Sequence, residues 1–148
     1  MNDRVDVLLI EDSPSLTEIY RQYLKKESLN LILADTGAKA KALAEEHRPG
    51  LILLDLMLPD IPGEEVLAHV LTLGFDCEVI IITAHGSVDL AVELMRMGAK
   101  DFLQKPVDAA RLLTTVRNTL EHLRLKHLVN NLSEHLDRKS FHGFIGGS

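Results

Sequence analysis

The chain has 148 residues, 46% of them apolar, with 22 acidic against 16 basic side chains and a formal charge of −6. This composition excludes a disordered chain and suits one domain with a sizeable core, and its acidic balance excludes a body that grips nucleic acid by itself, since phosphate contacts need clustered Lys and Arg. The lone Cys77 excludes an internal disulfide; with no secretory leader in MNDRVDVLLIED and no apolar run of membrane-spanning length, the chain reads as soluble and cytoplasmic.

In chain order, short apolar runs predict strands at Val5–Ile10, Leu29–Leu33, Leu51–Leu54 and Val79–Ile82, with a weaker fifth at Asp101–Leu103. They are too short for helices, and most lack alternation, the pattern of parallel strands covered on both faces. Amphipathic stretches lie between them. Pro14–Lys26 follows Asp12 and Ser13, a capping position with a proline in the first turn. Thr36–His47 stops before Pro49-Gly50, Pro62–Leu73 ends at Gly74, and Ser87–Met97 ends at Gly98. A last helix is expected from near Val107, after Pro106. Alternating strands and helices predict an α/β fold: a doubly wound, five-stranded parallel sheet in the order 2-1-3-4-5, with an extended C-terminal helix.

In such sheets the functional site lies at the carboxyl ends of the strands, near the point where the strand order reverses. Glu11 and Asp12 follow the first strand, Asp55 ends the third, Thr83 ends the fourth, and Lys105 follows the fifth. Three carboxylates gathered there repel one another unless a cation sits among them. Oxygen-only ligands of this kind suit Mg²⁺. A hydroxyl and an ammonium opposite the acids are what the equatorial oxygens of a transferred phosphoryl group require. A carboxylate that attacks phosphorus forms an acyl phosphate.

These residues resemble the receiver domains of bacterial two-component response regulators, which share the flavodoxin/CheY-like fold. The resemblance rests on Glu11-Asp12, on Leu53-Leu54-Asp55 with Met57, Pro59 and Gly63 after it, and on Thr83-Ala84 and Lys105-Pro106. It runs from about residue 5 to residue 122. It implies a phosphoacceptor switch and not an enzyme: Asp55 would be phosphorylated by a histidine kinase or phosphotransfer protein. Mg²⁺ would be held by Glu11, Asp12, Asp55 and the backbone carbonyl of Met57. Lys105 would pair with the phosphoryl group, and Thr83 would hydrogen-bond it and report it. Phe102 falls at the position of the switch aromatic that changes rotamer with Thr83. Many members carry Asp where Glu11 stands.

Each residue also has a plainer reading. Asp55 alone could cap a turn, Glu11 and Asp12 could cap the next helix, and Thr83 could be an ordinary β-branched strand residue. Lys105 could be a solvated lysine. Phe102 stands between fixed core aromatic and mobile switch, and His85, two residues past Thr83, between a modulator of water access and a loop residue. The other histidines have no metal-ligand spacing. Two different functions share this chemistry or fold. A Mg²⁺-dependent phosphohydrolase with an aspartyl nucleophile usually carries a second acid where Met57 stands. A flavodoxin-like cofactor binder needs a phosphate loop where Glu11 and Asp12 stand.

No helix breaker occurs between Val107 and Gly143. A continuous helix from Val107 to Arg138 would be about 48 Å long, longer than one small sheet can cover. Leu125, Leu128, Leu132 and Leu136 form a stripe along it, expected to pair with a second copy of the chain. The run Phe141-His142-Gly143-Phe144-Ile145-Gly146-Gly147-Ser148 resembles the entry to the ATPase domain of sigma-54-dependent activators of the NtrC/LuxO-like type. The organisation expected is therefore a receiver at 1–122, a helical dimerising linker at 123–140, and at 141–148 the start of an ATPase domain. DNA contact would belong to parts of a longer regulator outside this sequence, and no contact with a membrane is expected.

Overall fold

The computed structural model describes residues 4–84 and 86–143, with side chains in the last helix described through residue 132 apart from residue 131. His85, Leu136 and most of the 141–148 run thus fall, wholly or in their side chains, outside the described residues. Five strands, β1 (Val5–Ile10), β2 (Leu29–Ala34), β3 (Leu51–Leu54), β4 (Glu78–Thr83) and β5 (Asp101–Gln104), alternate with five helices. These are α1 (Pro14–Leu24), α2 (Gly37–His47), α3 (Gly63–Leu73), α4 (Val88–Met97) and α5 (Ala109–Gly143). All strand pairs are parallel and their order is β2-β1-β3-β4-β5, as the alternation predicts.

Successive strand residues point to opposite faces, and this divides the core in two. Leu8, Ile10, Ile52, Leu54 and Ile81 pack with Ala40, Ala44, Val66, Leu67 and Leu94 from α2, α3 and α4. Val7, Leu9, Leu51, Leu53, Ile80 and Ile82 pack on the other face with Tyr20 and Leu24 of α1 and Leu112 and Val116 of α5. Every residue of β3 is buried, because it lies at the centre of the sheet with helices on both sides. The edge strand β2 departs from the expectation of burial on both faces: Leu33 is 43% exposed, since no strand lies beyond it.

The helix limits differ from the sequence expectation by one or two residues, for local reasons. The first helix closes at Leu24, where the Lys25 N–H turns to Gln22 O and the Glu27 N–H to Leu24 O. The last helix opens at Ala109 because Asp108 caps it, its Oδ1 accepting from Arg111 N at 2.7 Å, while Val107 stays in the loop with its side chain in the core. Glu78, Ala34, Thr83 and Gln104 extend their strands by one residue each; the backbone ladder continues past the apolar runs.

The register aligns the strand ends. Ile10 lies opposite Leu54, Leu54 opposite Ile81, and Thr83 opposite Gln104. The residues that follow these ends therefore meet at one edge of the sheet.

Candidate functional site

Past its last sheet residue the ladder runs on: Glu11 N donates to Ala34 O, Asp55 N to Ile10 O, and Lys105 N to Thr83 O, at 2.9–3.0 Å. These bonds fix the backbone of three site residues before any side chain is considered. Glu11, Asp12 and Asp55 bring carboxylate oxygens within 4.8 Å of one another, with Glu11 and Asp55 buried and Asp12 exposed. Lys105 Nζ lies between the two buried acids, 2.7 Å from Glu11 Oε1 and 2.8 Å from Asp55 Oδ2. The second oxygen of each acid is also used. Ser13 N donates to Glu11 Oε2 at 3.1 Å, and Met57 N donates to Asp55 Oδ1 at 3.0 Å. Among the described residues no buried side-chain nitrogen or oxygen lacks a hydrogen-bond partner.

Burial raises the Glu11 pKa above the ordinary carboxyl range, against the opposing pull of its hydrogen bonds to Lys105 and Ser13. Burial acts on Lys105 in the lowering direction, but its hydrogen bonds to Asp55 and Glu11 outweigh it, and the net direction is upward. The site therefore holds its lysine as a charged ammonium. Tyr20, almost fully buried on α1, has its hydroxyl pKa raised by burial first, with the charges of Lys105, Glu11 and Asp55 acting on it as well.

Around this cluster the other residues take their places. Thr83 is fully buried at the end of β4. Phe102, half-buried in β5, packs against the α2–α4 side of the core and has Gly86 beside its ring. Met57 is exposed in the β3–α3 loop. That loop turns tightly because α3 begins at Gly63, where a Cβ would come within 2.5 Å of Leu56 Cα and 2.8 Å of Asp55 O; only glycine permits such close approach. A shallow cleft of about 420 Å³, lined by Glu11, Asp12, Pro14, Leu33 and Lys39 among others, opens beside the acids. A larger cavity of about 620 Å³, bounded by Val5, Gly50, Leu120 and Leu123, contains none of the site residues.

The structure thus brings together Glu11, Asp12, Asp55 and Lys105, with Thr83 on the adjoining strand end. Two features are not legible in the sequence. One is the sharing of Lys105 between two acids, 94 and 50 residues away in the chain. The other is Asp60, whose carboxylate caps α2 from the β3–α3 loop. Burial pushes the Cys77 thiol up to about 12, which keeps it protonated at neutral pH. No helix among the described residues is long and apolar enough to cross a membrane.

Known proteins resemble this chain over most of its length. Regulatory protein LuxO of Vibrio cholerae is 41% identical over 141 residues, covering 95% of this chain and 30% of that protein. The C4-dicarboxylate transport transcriptional regulatory protein DctD of Pseudomonas aeruginosa is 37% identical over 147 residues, covering 97% of this chain and 31% of that protein. The chain therefore spans about a third of the length of these curated relatives. The crystal structure of a LuxO signal receiver domain from Vibrio parahaemolyticus superposes with a TM-score of 0.83 at 48% identity, covering 85% of this chain and 97% of that one. The family model of the response regulator receiver domain matches residues 7–117, and the chain belongs to that family.

Proposed function

We propose that this chain is the phosphoacceptor input of a two-component system, in which Asp55 takes a phosphoryl group from a histidine kinase or phosphotransfer protein. The observation that carries the reading is the Asp55 carboxylate itself. It is 5% exposed, 2.8 Å from the Lys105 ammonium, and within 4.8 Å of two further acids. Met57 N–H orients the carboxylate through Oδ1. The other oxygen, Oδ2, attacks the phosphorus of the donor; the bond from phosphorus to the donor imidazole nitrogen breaks, and an acyl phosphate forms on Asp55. Lys105 then follows the negative charge from the carboxylate to the phosphoryl oxygens, and Thr83 supplies the hydroxyl that reports it, with Phe102 as the responding aromatic. Water later cleaves the acyl phosphate to free Asp55 and inorganic phosphate, and His85, two residues past Thr83 in the sequence, would modulate that step.

The donor set fits Mg²⁺: three carboxylates converge, and neither sulfur nor imidazole is among them. Glu11, Asp12, Asp55 and the Met57 carbonyl would hold it, and when bound it would offset the charge of the acids and of the phosphoryl oxygens. Met57 stands where an aspartyl phosphohydrolase usually carries its second acid, which argues against turnover of phosphate esters. The chain acts as a switch that assists only its own phosphotransfer and dephosphorylation.

The phosphorylated receiver governs a sigma-54-dependent activating module in a longer cytoplasmic regulator, with residues 1–122 as receiver, 123–140 as linker and 141–148 as the start of the ATPase domain. The resemblance of the tail and the relatives LuxO and DctD support this organisation. Beyond His122 the side chains of Leu125, Leu128, Val129 and Leu132 are all at least 45% exposed, which supports pairing of α5 with a second copy. The test is incubation with acetyl phosphate with and without Mg²⁺, followed by intact mass. One labile phosphoryl group is expected, dependent on Mg²⁺; continued hydrolysis of phosphate esters without a stable adduct would overturn the reading.

A further inference from the structure

The β3–α3 loop is held at both ends, and the two ends are held differently. At its inner end the chain closes on itself: Gly63 N donates to Leu56 O at 2.9 Å, and Met57 N donates to Asp55 Oδ1 at 3.0 Å. At its outer end the loop reaches across to a different element. Asp60 Oδ1 accepts from Gly37 N at 2.8 Å and Asp60 Oδ2 accepts from Ala38 N at 2.9 Å. Both N–H groups belong to the first turn of α2, where four donors have no partner within the helix. The charge also faces the positive end of the helix. Beside this clamp Ile61 packs so closely on Gly37 that a Cβ there would overlap its side chain.

Helix α2 does not depend on Asp60 for its own start. Thr36 is its N-cap, the Oγ1 accepting from Lys39 N at 3.1 Å. The Asp60 contact is therefore a second cap, supplied from a segment 23 residues away. Its effect falls on the loop that supplies it. Asp60 lies three residues beyond Met57, and Met57 is joined on its other side to the Asp55 carboxylate. Moving the outer end of the loop moves Met57, and with it the hydrogen bond that sets the orientation of Asp55.

We propose that Asp60 is a positioning residue for the phosphoacceptor site, acting through the Met57 backbone by fastening the β3–α3 loop to the N-terminus of α2. This rests on the reading of Asp55 and Met57 given above. The clamp has a chemical signature: the hydrogen bonds from Gly37 and Ala38 hold the Asp60 carboxyl below the ordinary range, so it remains ionised at neutral pH. Loss of the clamp frees the loop, and with it the Met57 backbone that donates to Asp55 Oδ1, to sample other positions, and the cost appears first in affinity for the cation.

The experiment is a Mg²⁺ titration of the whole chain, followed through the backbone amide signals of Asp12, Asp55 and Met57, on the wild type and on Asp60→Ala, Asp60→Asn and Thr36→Ala. Asp60→Ala is expected to weaken Mg²⁺ binding about tenfold, the size of effect found when groups supporting metal ligands are removed, and to shift the Met57 amide before any Mg²⁺ is added. Asp60→Asn, which keeps one acceptor oxygen, falls between the two and serves if the alanine variant does not fold. Thr36→Ala removes the helix's own cap; it lowers the melting temperature but leaves Mg²⁺ affinity unchanged. A wild-type affinity in both Asp60 variants, or an equal loss in Thr36→Ala, overturns the proposal. A wild-type chain that binds no Mg²⁺ overturns instead the phosphoacceptor reading on which it rests.

Discussion

The carboxyl edge of the sheet and the far half of α5 depart from ordinary burial in opposite directions. At the sheet edge, charge is inside: Glu11, Asp55 and most of Lys105 are withdrawn from water and satisfy one another. Along α5 the first turns are conventional, with Leu112 and Val116 fully buried on the sheet. Past His122 apolar groups face outward, and Leu128, Val129 and Leu132 are each more than half exposed. Buried charge and exposed leucine are both costly for an isolated domain. On the function proposed above, a cation and a phosphoryl group would complete the first region and a second copy of the chain would cover the other.

Substitutions distinguish the two regions, and the largest effect on stability falls in the core. Leu54→Ala removes a fully buried side chain from the strand that carries Asp55 and should cost about 3 kcal/mol in urea unfolding. Lys105→Ala strips the common partner from two buried acids and should also cost about 3 kcal/mol in Mg²⁺-free buffer. Added Mg²⁺ should return part of that loss, by binding the folded state alone; a loss indifferent to Mg²⁺ would mean that the cation does not reach these acids.

Arg117→Ala breaks a surface ion pair with Glu27 and has a smaller effect, read best through pH. The Arg117 hydrogen bond holds the Glu27 carboxyl below its ordinary pKa. A carboxyl lowered in the folded state stabilises above its unfolded pKa and loses that contribution as pH falls through the folded value. The stability difference between wild type and Arg117→Ala should therefore be constant near neutrality and close in acid. Smallest in the isolated body is Leu128→Ser with Leu132→Ser, expected to change unfolding of the dilute monomer by less than about 0.5 kcal/mol. The same pair should abolish self-association in sedimentation. Together with Leu54→Ala this separates leucines that hold the fold from leucines that hold a partner.

Most of the fold was legible because a parallel sheet covered on both faces writes itself as uninterrupted apolar runs. Leu51–Leu54 and Val5–Ile10 are read to the residue for that reason. Strand ends carrying Glu78 or Gln104 are not, since a polar residue in the ladder has no apolar signal. The site was legible through Glu11, Asp12, Asp55, Thr83 and Lys105, because strand-end position alone gathers them. What remained hidden depends on side chains that meet across long stretches of sequence. Lys105 satisfies Glu11 and Asp55 at once, and Asp60 caps a helix to which it does not belong. Neither pairing leaves a periodicity or a motif, and both are decided by how the loops pack.

We propose that Asp55 carries the phosphoryl group. It is tested most directly by phosphorylating the chain with acetyl phosphate and Mg²⁺, trapping the acyl phosphate with borohydride, and locating the reduced residue by peptide mass spectrometry. Reduction is expected at residue 55, converting that aspartate to homoserine, and none in Asp55→Asn. Trapping at Asp12 or Glu11 in the wild type, or undiminished uptake by Asp55→Asn, would contradict it.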